Sequence, residues 1–276
     1  MSHNHQKKIA VINDLSGFGR CSLSVALPLI SHLGIQCCPL PTAVFSNHTG
    51  FPSYFFTDCT DQMGPYMDEW KKLDLRFEGI LTGFLGSEQQ IRLVERFLRE
   101  FTSDRTRIII DPVMGDNGRT YATYTPELCR QMRWLARYGD ILTPNLTEAC
   151  ILTDTPYQED VSDRTLLDMA RTLSHRGPGQ VVITGIHRGD TLQNHIYDRT
   201  DGMRVQSVRR VRPQRSGTGD VFASILAAGV VRGVGVYRSV ETAAEFIRAC
   251  LIRSGELEIP PTDGVCFEEL IGTLHF

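Results

Sequence analysis

Short apolar runs alternate along the whole chain with segments whose apolar residues recur every three or four positions. Runs such as "RIIID" (107–111) and "QVVIT" (180–184) are apolar without alternation, so they read as strands covered on both faces, as in a parallel sheet. "KIAVIND" (8–14) is the first strand, and "SLSVALPLISHLG" is the helix after it, ending at Gly34. "IQCCPLPTAVF", "FEGILTG", "TRIIIDPVMGD" and "DILTPN" supply further strands, and "MGPYMDEWKKL", "SEQQIRLVERFLREF", "ELCRQMRWLARYG" and "DRTLLDMARTLSHRG" supply helices. In the second of these helices Ser87 stands as N-cap, and Ile91, Val94, Phe97, Leu98 and Phe101 share one face. "TLQNHIYD" and "MRVQSVRRV" alternate as an antiparallel pair, and two helices, "GDVFASILAAGVVRG" and "SVETAAEFIRACLIRSG", finish the pattern. Repeated βα units predict an α/β fold with a doubly wound, mostly parallel central sheet, helices on both faces, and ligands beyond the carboxyl ends of the strands. With no repeat, linker or shift in composition, residues 1–276 read as one domain with a flexible leader over 1–7.

Charge and cysteine content narrow the classes of function. A net charge of −3 provides no field to attract nucleic acid, so an anionic ligand must be held by a local site. The eight cysteines form no CxxC pair and read as reduced, mostly buried thiols of a cytoplasmic protein. Cys37 and Cys38 are neighbours on a strand, so they point to opposite faces and do not form a metal or redox pair. Val221–Val236 is too short to span a membrane and carries Arg232. The opening "MSHNHQKK" lacks the apolar core of a signal peptide, and His3 and His5 are read as part of the leader rather than as metal ligands.

The chemistry is expected where strands end, and polar signals stand there in "NDLSGFGRCS", "SNHTGF", "TGFLGS", "DPVMGD" and "TPNLTE". "GFGRCS" does not complete a dinucleotide fingerprint. Ser22 replaces its third glycine, and residues 31–38 hold no acid for a ribose. No Walker phosphate loop occurs either. "SGTGD" (216–220) offers another way to grip phosphate, through converging backbone N–H groups at the positive end of a helix. Asp220 then either steadies the first helical turn or serves as general base for a hydroxyl attacking a γ-phosphoryl group; spacing leaves both open.

"SGTGD" at the head of a small-residue helix resembles the signature of the ribokinase-like superfamily. "FSNHTGF" (45–51), "DPVMGD" (111–116) and "TPNLTEACIL" (143–152) resemble, in the same order, the motifs of pyridoxal/pyridoxamine kinases, and the likeness runs from about Lys8 to the last helices. The resemblance implies transfer of a phosphoryl group from ATP, with Mg²⁺, to the 5′-hydroxyl of a vitamin B6 vitamer. It implies Asp220 as base and Gly217, Thr218 and Gly219 as anion hole. It sets Asp111 and Asp116 near the phosphates and metal, Tyr121 over the site, and Thr143 and Thr184 on the nucleotide phosphates. Mg²⁺ would be held, mostly through water, by Asn145 and Glu148 with Asp111 close by. Thr49 would meet the vitamin, with Ser46 and His48 nearby. Relatives imply a homodimer. Structural roles also suit single residues: Asp111 before Pro112 as a strand terminator, and Asn145 with Glu148 as a capping box. Their joint occurrence in order favours the functional reading.

Two features depart from the usual pyridoxal kinase. "NDLSGFGR" is closer to the start of hydroxymethylpyrimidine kinases, and it would aim Asp14 at a ring nitrogen or phenolic hydroxyl of the substrate, unless Asp14 caps the turn. Phe84 stands where a tyrosine is common, keeping ring stacking without the hydroxyl. GTGD in place of GTGC excludes a cysteine nucleophile at that turn. "RRVRPQR" (209–215) is either a phosphate contact or a solvated edge strand, with the edge favoured, and His187 and His195 read as structural. Two rivals stand beside a B6 kinase: a hydroxymethylpyrimidine kinase, and a vitamer-binding protein that consumes no ATP.

Overall fold

The polar signals that follow each apolar run come together because the runs stack side by side in one direction. The computed structural model describes residues 5–276, so His3 and the first part of the expected leader lie outside the described residues. The first half of the chain forms β1 (Lys8–Phe18), α1 (Leu23–His32), β2 (Gln36–Asn47), β3 (Phe56–Asp58), α2 (Thr60–Lys72), β4 (Gly79–Thr82), α3 (Glu88–Phe101) and β5 (Arg107–Ile110). A small hairpin follows, β6 (Gly115–Asp116) and β7 (Arg119–Thr120), then α4 (Pro126–Leu135), β8 (Ile141–Leu142), α5 (Leu146–Thr153) and α6 (Asp163–His175). The chain ends with β9 (Gln180–Arg188), β10 (Thr191–Asp198), β11 (Gly202–Arg209), α7 (Thr218–Arg232) and α8 (Val236–Glu256).

Among the described residues nine strands form one sheet in the order β11-β10-β9-β8-β5-β4-β1-β2-β3. The five pairs from β9 to β2 are parallel, while β10 and β3 run antiparallel to their neighbours at the two sides. Strand β1 alternates between two cores. Ala10 and Ile12 pack with Phe97 and Leu128 on one face, and Ile9 and Val11 pack with Val25 and Leu226 on the other. That double burial is why the strands carry unbroken apolar runs. β2 lies on one side of β1 and β4 on the other, so the chain reverses direction there and leaves a crevice at their carboxyl ends. The ribokinase-like, mostly parallel α/β sheet expected from the sequence is present.

Local signals account for most elements. Ser87 Oγ accepts from the amide of Gln90 at 3.2 Å and starts α3, whose expected apolar face is buried throughout. β10 and β11 pair as expected, with β11 at the sheet edge. Cys37 and Cys38 join opposite cores, and all eight cysteines are free. The pattern did not forecast β3, β6, β7 or α5. The three strands have two or three residues each, too few to show a period. α5 has eight residues, mostly buried, and so shows no polar stripe. Among the described residues no helix is long and apolar enough to cross a membrane.

Phe97 is fully buried, with its ring 4.5 Å from that of Phe101 and 5.9 Å from that of Phe77. Phe97→Ala is expected to cost about 3–5 kcal/mol in urea-unfolding stability. A loss below about 1 kcal/mol would contradict this account of the core.

Candidate functional site

A cavity of about 900 Å³ opens at the carboxyl ends of the central strands, against the start of α7. The turn that starts α7 admits only glycine at its first position. Gly217 has φ 81°, and a Cβ there would lie 1.7 Å from the carbonyl oxygen of Arg20. Nothing lies within 4 Å of where a Cβ on Gly219 would stand, so the backbone there faces open space. Gly217, as N-cap, has no side chain to cap the first-turn amides. Those N–H groups and the helix dipole thus meet the cavity at Gly217, Thr218 and Gly219, the arrangement that holds a phosphate.

Asp220 occupies the first turn of this helix and reaches toward the neighbouring strand. The Asn13 side-chain amide donates to Asp220 Oδ1 at 3.2 Å. Burial pushes the carboxyl up to about 6, against the lowering effect of amides from Ser22, Asn13 and its own backbone. The carboxylate bonds its own helix start, and it also lines the cavity.

Asp111, at the end of β5, accepts from Thr143 Oγ1 at 3.2 Å. Burial raises its pKa, and the nearby charge of Asp220 raises it further. Glu148 is raised by burial and then by Asp111. Its two oxygens accept from the amides of Met114 at 3.1 Å and Asn145 at 2.9 Å. Asn145 Oδ1 accepts from the Glu148 amide at 3.0 Å, completing a capping box on α5, and its Nδ2 donates to Gly115 O at 2.8 Å. The capping box thus forms, and it presents both side chains to the cavity. Thr184 lines the cavity from β9, with its amide on Pro144 O. Asp116 lines it too, but is exposed and bonded to the amide and side chain of Asn117. Tyr121 stands on the rim, 44% exposed.

Among the described residues no three His, Cys, Asp or Glu side chains gather to cage a metal. The donors suit Mg²⁺ none the less, because that ion takes one or two carboxylates and completes its shell with waters and phosphate oxygens. Asp111 has an oxygen that no protein group occupies in the bonding pattern found here, and its raised pKa marks a carboxylate lacking a countercharge. Glu148 and Asn145 are already bonded to backbone, so they fit a role through water.

The opposite wall is aromatic. Phe45, Tyr54 and Phe84 line it, with the Phe45 and Phe84 rings 6.0 Å apart and edge-on. Asp14 is buried and accepts from Ser22 Oγ at 2.6 Å and Ser16 Oγ at 3.0 Å. Burial raises its pKa. His48 lies at the cavity with both nitrogens engaged: Nδ1 accepts from the Gly50 amide at 3.1 Å, and Nε2 faces Thr262 O at 2.7 Å. Thr49 is exposed on the same rim. Ser46 is off the cavity wall, which corrects its expected place near the substrate. Its hydroxyl donates to Asn47 Oδ1 and accepts from the Phe55 amide, tying the loop between β2 and β3.

Sequence reasoning missed three groups. Asn13 has no motif of its own. Cys21 lines the cavity between Asp14 and Asp220, with its thiol pushed up to about 12 by burial and those two charges. Leu192, Val208, Ala244, Ile247 and Leu251 form an apolar stretch of wall from β10, β11 and α8, which in sequence looked like ordinary core. The basic run splits. Arg212 is exposed in the loop after β11, whereas Arg209, Arg210 and Arg215 line the cavity, and buried Arg215 donates to Ile259 O. His187 also reaches the cavity wall, bonded to Gln214, while His195 is buried.

The sequence and architecture have counterparts among known proteins. Residues 68–261 match the family model described as phosphomethylpyrimidine kinase. The pyridoxal kinase PdxY of Leifsonia xyli is 27% identical, over 91% of this chain and 92% of its own. A crystal structure from Bacteroides thetaiotaomicron that contains pyridoxal is 38% identical, covers 98% of this chain and 96% of its own, and superposes with a TM-score of 0.94. The pyridoxal kinase structure of Lactobacillus plantarum is 26% identical, covers 97% and 96%, and gives a TM-score of 0.90. Matching over that much of its length, the chain belongs to the phosphomethylpyrimidine kinase family, alongside the pyridoxal kinases.

Proposed function

We propose that the protein transfers the γ-phosphoryl group of ATP to the 5′-hydroxyl of pyridoxal and related B6 vitamers. The observation that carries this reading is one carboxylate, Asp220, set beside a bare helix start in a cavity whose far wall is aromatic. The vitamer ring lies against Phe84, Phe45 and Tyr54, with Asp14 facing a ring nitrogen or the phenolic hydroxyl. Thr49 and His48 bound this end. A relative 38% identical to this chain holds pyridoxal, which supports the choice of ring.

Asp220 accepts the 5′-hydroxyl proton as that oxygen attacks the γ-phosphorus, and the bond to the β-phosphate oxygen breaks to release ADP. Amides at Gly217, Thr218 and Gly219 meet the charge that develops on the phosphoryl oxygens. Thr143 and Thr184 lie along the phosphates, Asp116 flanks them, and Tyr121 closes over the site from its rim. Asp111, with Glu148 and Asn145 through water, would hold Mg²⁺, which neutralises phosphate charge when bound. The apolar stretch from Leu192 to Leu251 gives the nucleotide base a wall to lie on. Because the reaction needs positioning and charge balance more than covalent chemistry, a buried thiol such as Cys21 has no required part in it.

A hydroxymethylpyrimidine substrate is the second reading, favoured by Asp14 at the end of β1 and by the family model itself. Comparing kcat/KM for pyridoxal and hydroxymethylpyrimidine in an ADP-release assay separates them, and a tenfold preference for the pyrimidine would overturn the first. Absence of ADP release with every vitamer would leave a binding protein.

Asp220→Asn is expected to lower kcat by about 10²–10⁴-fold with the KM for ATP within a few-fold of wild type. Near-normal turnover would remove Asp220 from its role. The raised pKa sets the pH response. The base works only ionised, so kcat/KM for the vitamer should be flat above about pH 7 and fall as pH drops through about 6, the value of the free protein. A profile flat down to pH 4.5 would exclude this group as the titrating base.

A further inference from the structure

We propose that Asn13 is a positioning residue, which holds the Asp220 carboxylate in its working orientation and fixes it in register with the Phe84 wall. The proposal rests on Asp220 being the base.

Asn13 ends the regular part of β1, next to the switch in the sheet. It pairs with Pro41, whereas Leu15 pairs with Val44, so β2 carries one extra residue just there. Such irregularities re-aim side chains beside functional sites. The Asn13 side chain is buried, and its amide faces two elements at once. Oδ1 accepts from the Phe84 amide at 2.8 Å and from the Asp14 amide at 2.9 Å, while Nδ2 donates to Asp220 Oδ1 at 3.2 Å. The two Oδ1 bonds come from backbone N–H donors, so they fix the flip of the amide and leave Nδ2 toward the carboxylate.

Gly83 makes the arrangement possible. A Cβ on Gly83 would stand 2.4 Å from the Asn13 amide, so this glycine vacates the volume that the side chain fills. The Gly83 amide also bonds Ile12 O at 2.8 Å, which keeps the end of β4 tight against β1. One planar group therefore links the base on α7, the strand under the vitamer and the backbone of the ring wall. Asp14, Asp111, Cys21 and Tyr121 also border Asp220, but they are carboxylates, a thiol and a phenol held neutral or anionic. In the bonding pattern found here, Asn13 is the side chain that donates to it.

Asn13→Asp separates the two tasks, because it keeps an oxygen for the Phe84 and Asp14 amides and replaces the donor with an acceptor. Steady-state ADP release should show kcat lower by about 100-fold, the cost of a misplaced catalytic group. KM for pyridoxal should stay within about threefold. Asn13→Ala, which loses both ends, should lower kcat and also raise that KM. In an Asp220→Asn background, Asn13→Asp should lower kcat by less than about threefold, because residues acting as a unit are non-additive. Circular dichroism and ADP affinity report whether each variant is folded; where Asn13→Asp is not, Asn13→Ser with its shorter donor takes its place, with kcat expected between wild type and Asn13→Ala. A folded Asn13→Asp enzyme with kcat within threefold of wild type overturns the proposal, as does the same 100-fold loss in both backgrounds. If Asp220→Asn alone retains turnover, the kinase reading of that carboxylate fails, and the proposal with it. If Asp220→Asn is inactive while Asn13→Asp is normal, only the role of Asn13 fails.

Discussion

Several carboxylates share one cavity, and among the described residues three of them, Asp111, Glu148 and Asp220, form no ion pair. Unpaired buried charge is costly, and proteins usually avoid it by neutralising the group or supplying a partner. Here the affinities of these carboxyls for protons are raised first by burial and then by a neighbouring acid: Asp14 acts on Asp220, Asp220 on Asp111, and Asp111 on Glu148. What balances them otherwise is neutral: amides from Ser22, Met114, Asn145 and the Asn13 side chain, and the Thr143 hydroxyl. On the proposed function, a nucleotide phosphate chain with Mg²⁺ would bring this cavity the cations it lacks.

The backbone makes that balance workable. An anion beside Asp220 would be repelled unless something positive lay within reach, and the free amides at the head of α7 are that group. Their position depends on close contact between distant segments. Gly217 presses against the Arg20 carbonyl, Ser216 donates to Pro261 O, and Gly264 packs on Arg20 in turn. The same C-terminal stretch meets the vitamer side through Thr262, whose carbonyl faces His48. The head of α7 and the cavity wall at His48 therefore share a short piece of chain between Pro260 and Gly264. His48, read in sequence as a substrate neighbour, is held in place by that piece and by Gly50.

Much of the site could be read before any coordinates. "SGTGD" pointed to a turn with free amides at the head of an apolar helix, and the positive φ of Gly217 and its close approach to Arg20 bear out the need for glycine there. "DPVMGD" and "TPNLTE" placed polar residues after strands, and Asp111, Thr143, Asn145 and Glu148 do face one cavity. Ser46 went the other way for a local reason: a serine at a hairpin base meets the opposing amide, here that of Phe55, at 2.8 Å. The apolar wall from Leu192 to Leu251 was hidden because a residue facing a ligand and one facing the core have the same polarity.

The sequence alone determined the order of most strands and helices, the mostly parallel sheet with two covered faces, and the glycines and acids that could serve phosphate chemistry. Each of those is a property of neighbours along the chain: side-chain period, turn geometry, helix polarity. Tertiary structure alone decided that Asn13 donates to Asp220 across 207 positions, that Gly83 leaves room for it, and that Asp220 acts on Asp111 and Asp111 on Glu148. Such relations depend on distances of a few ångströms between segments that pattern cannot bring together, because hydrogen bonds and charge coupling act through space and leave no period in the sequence.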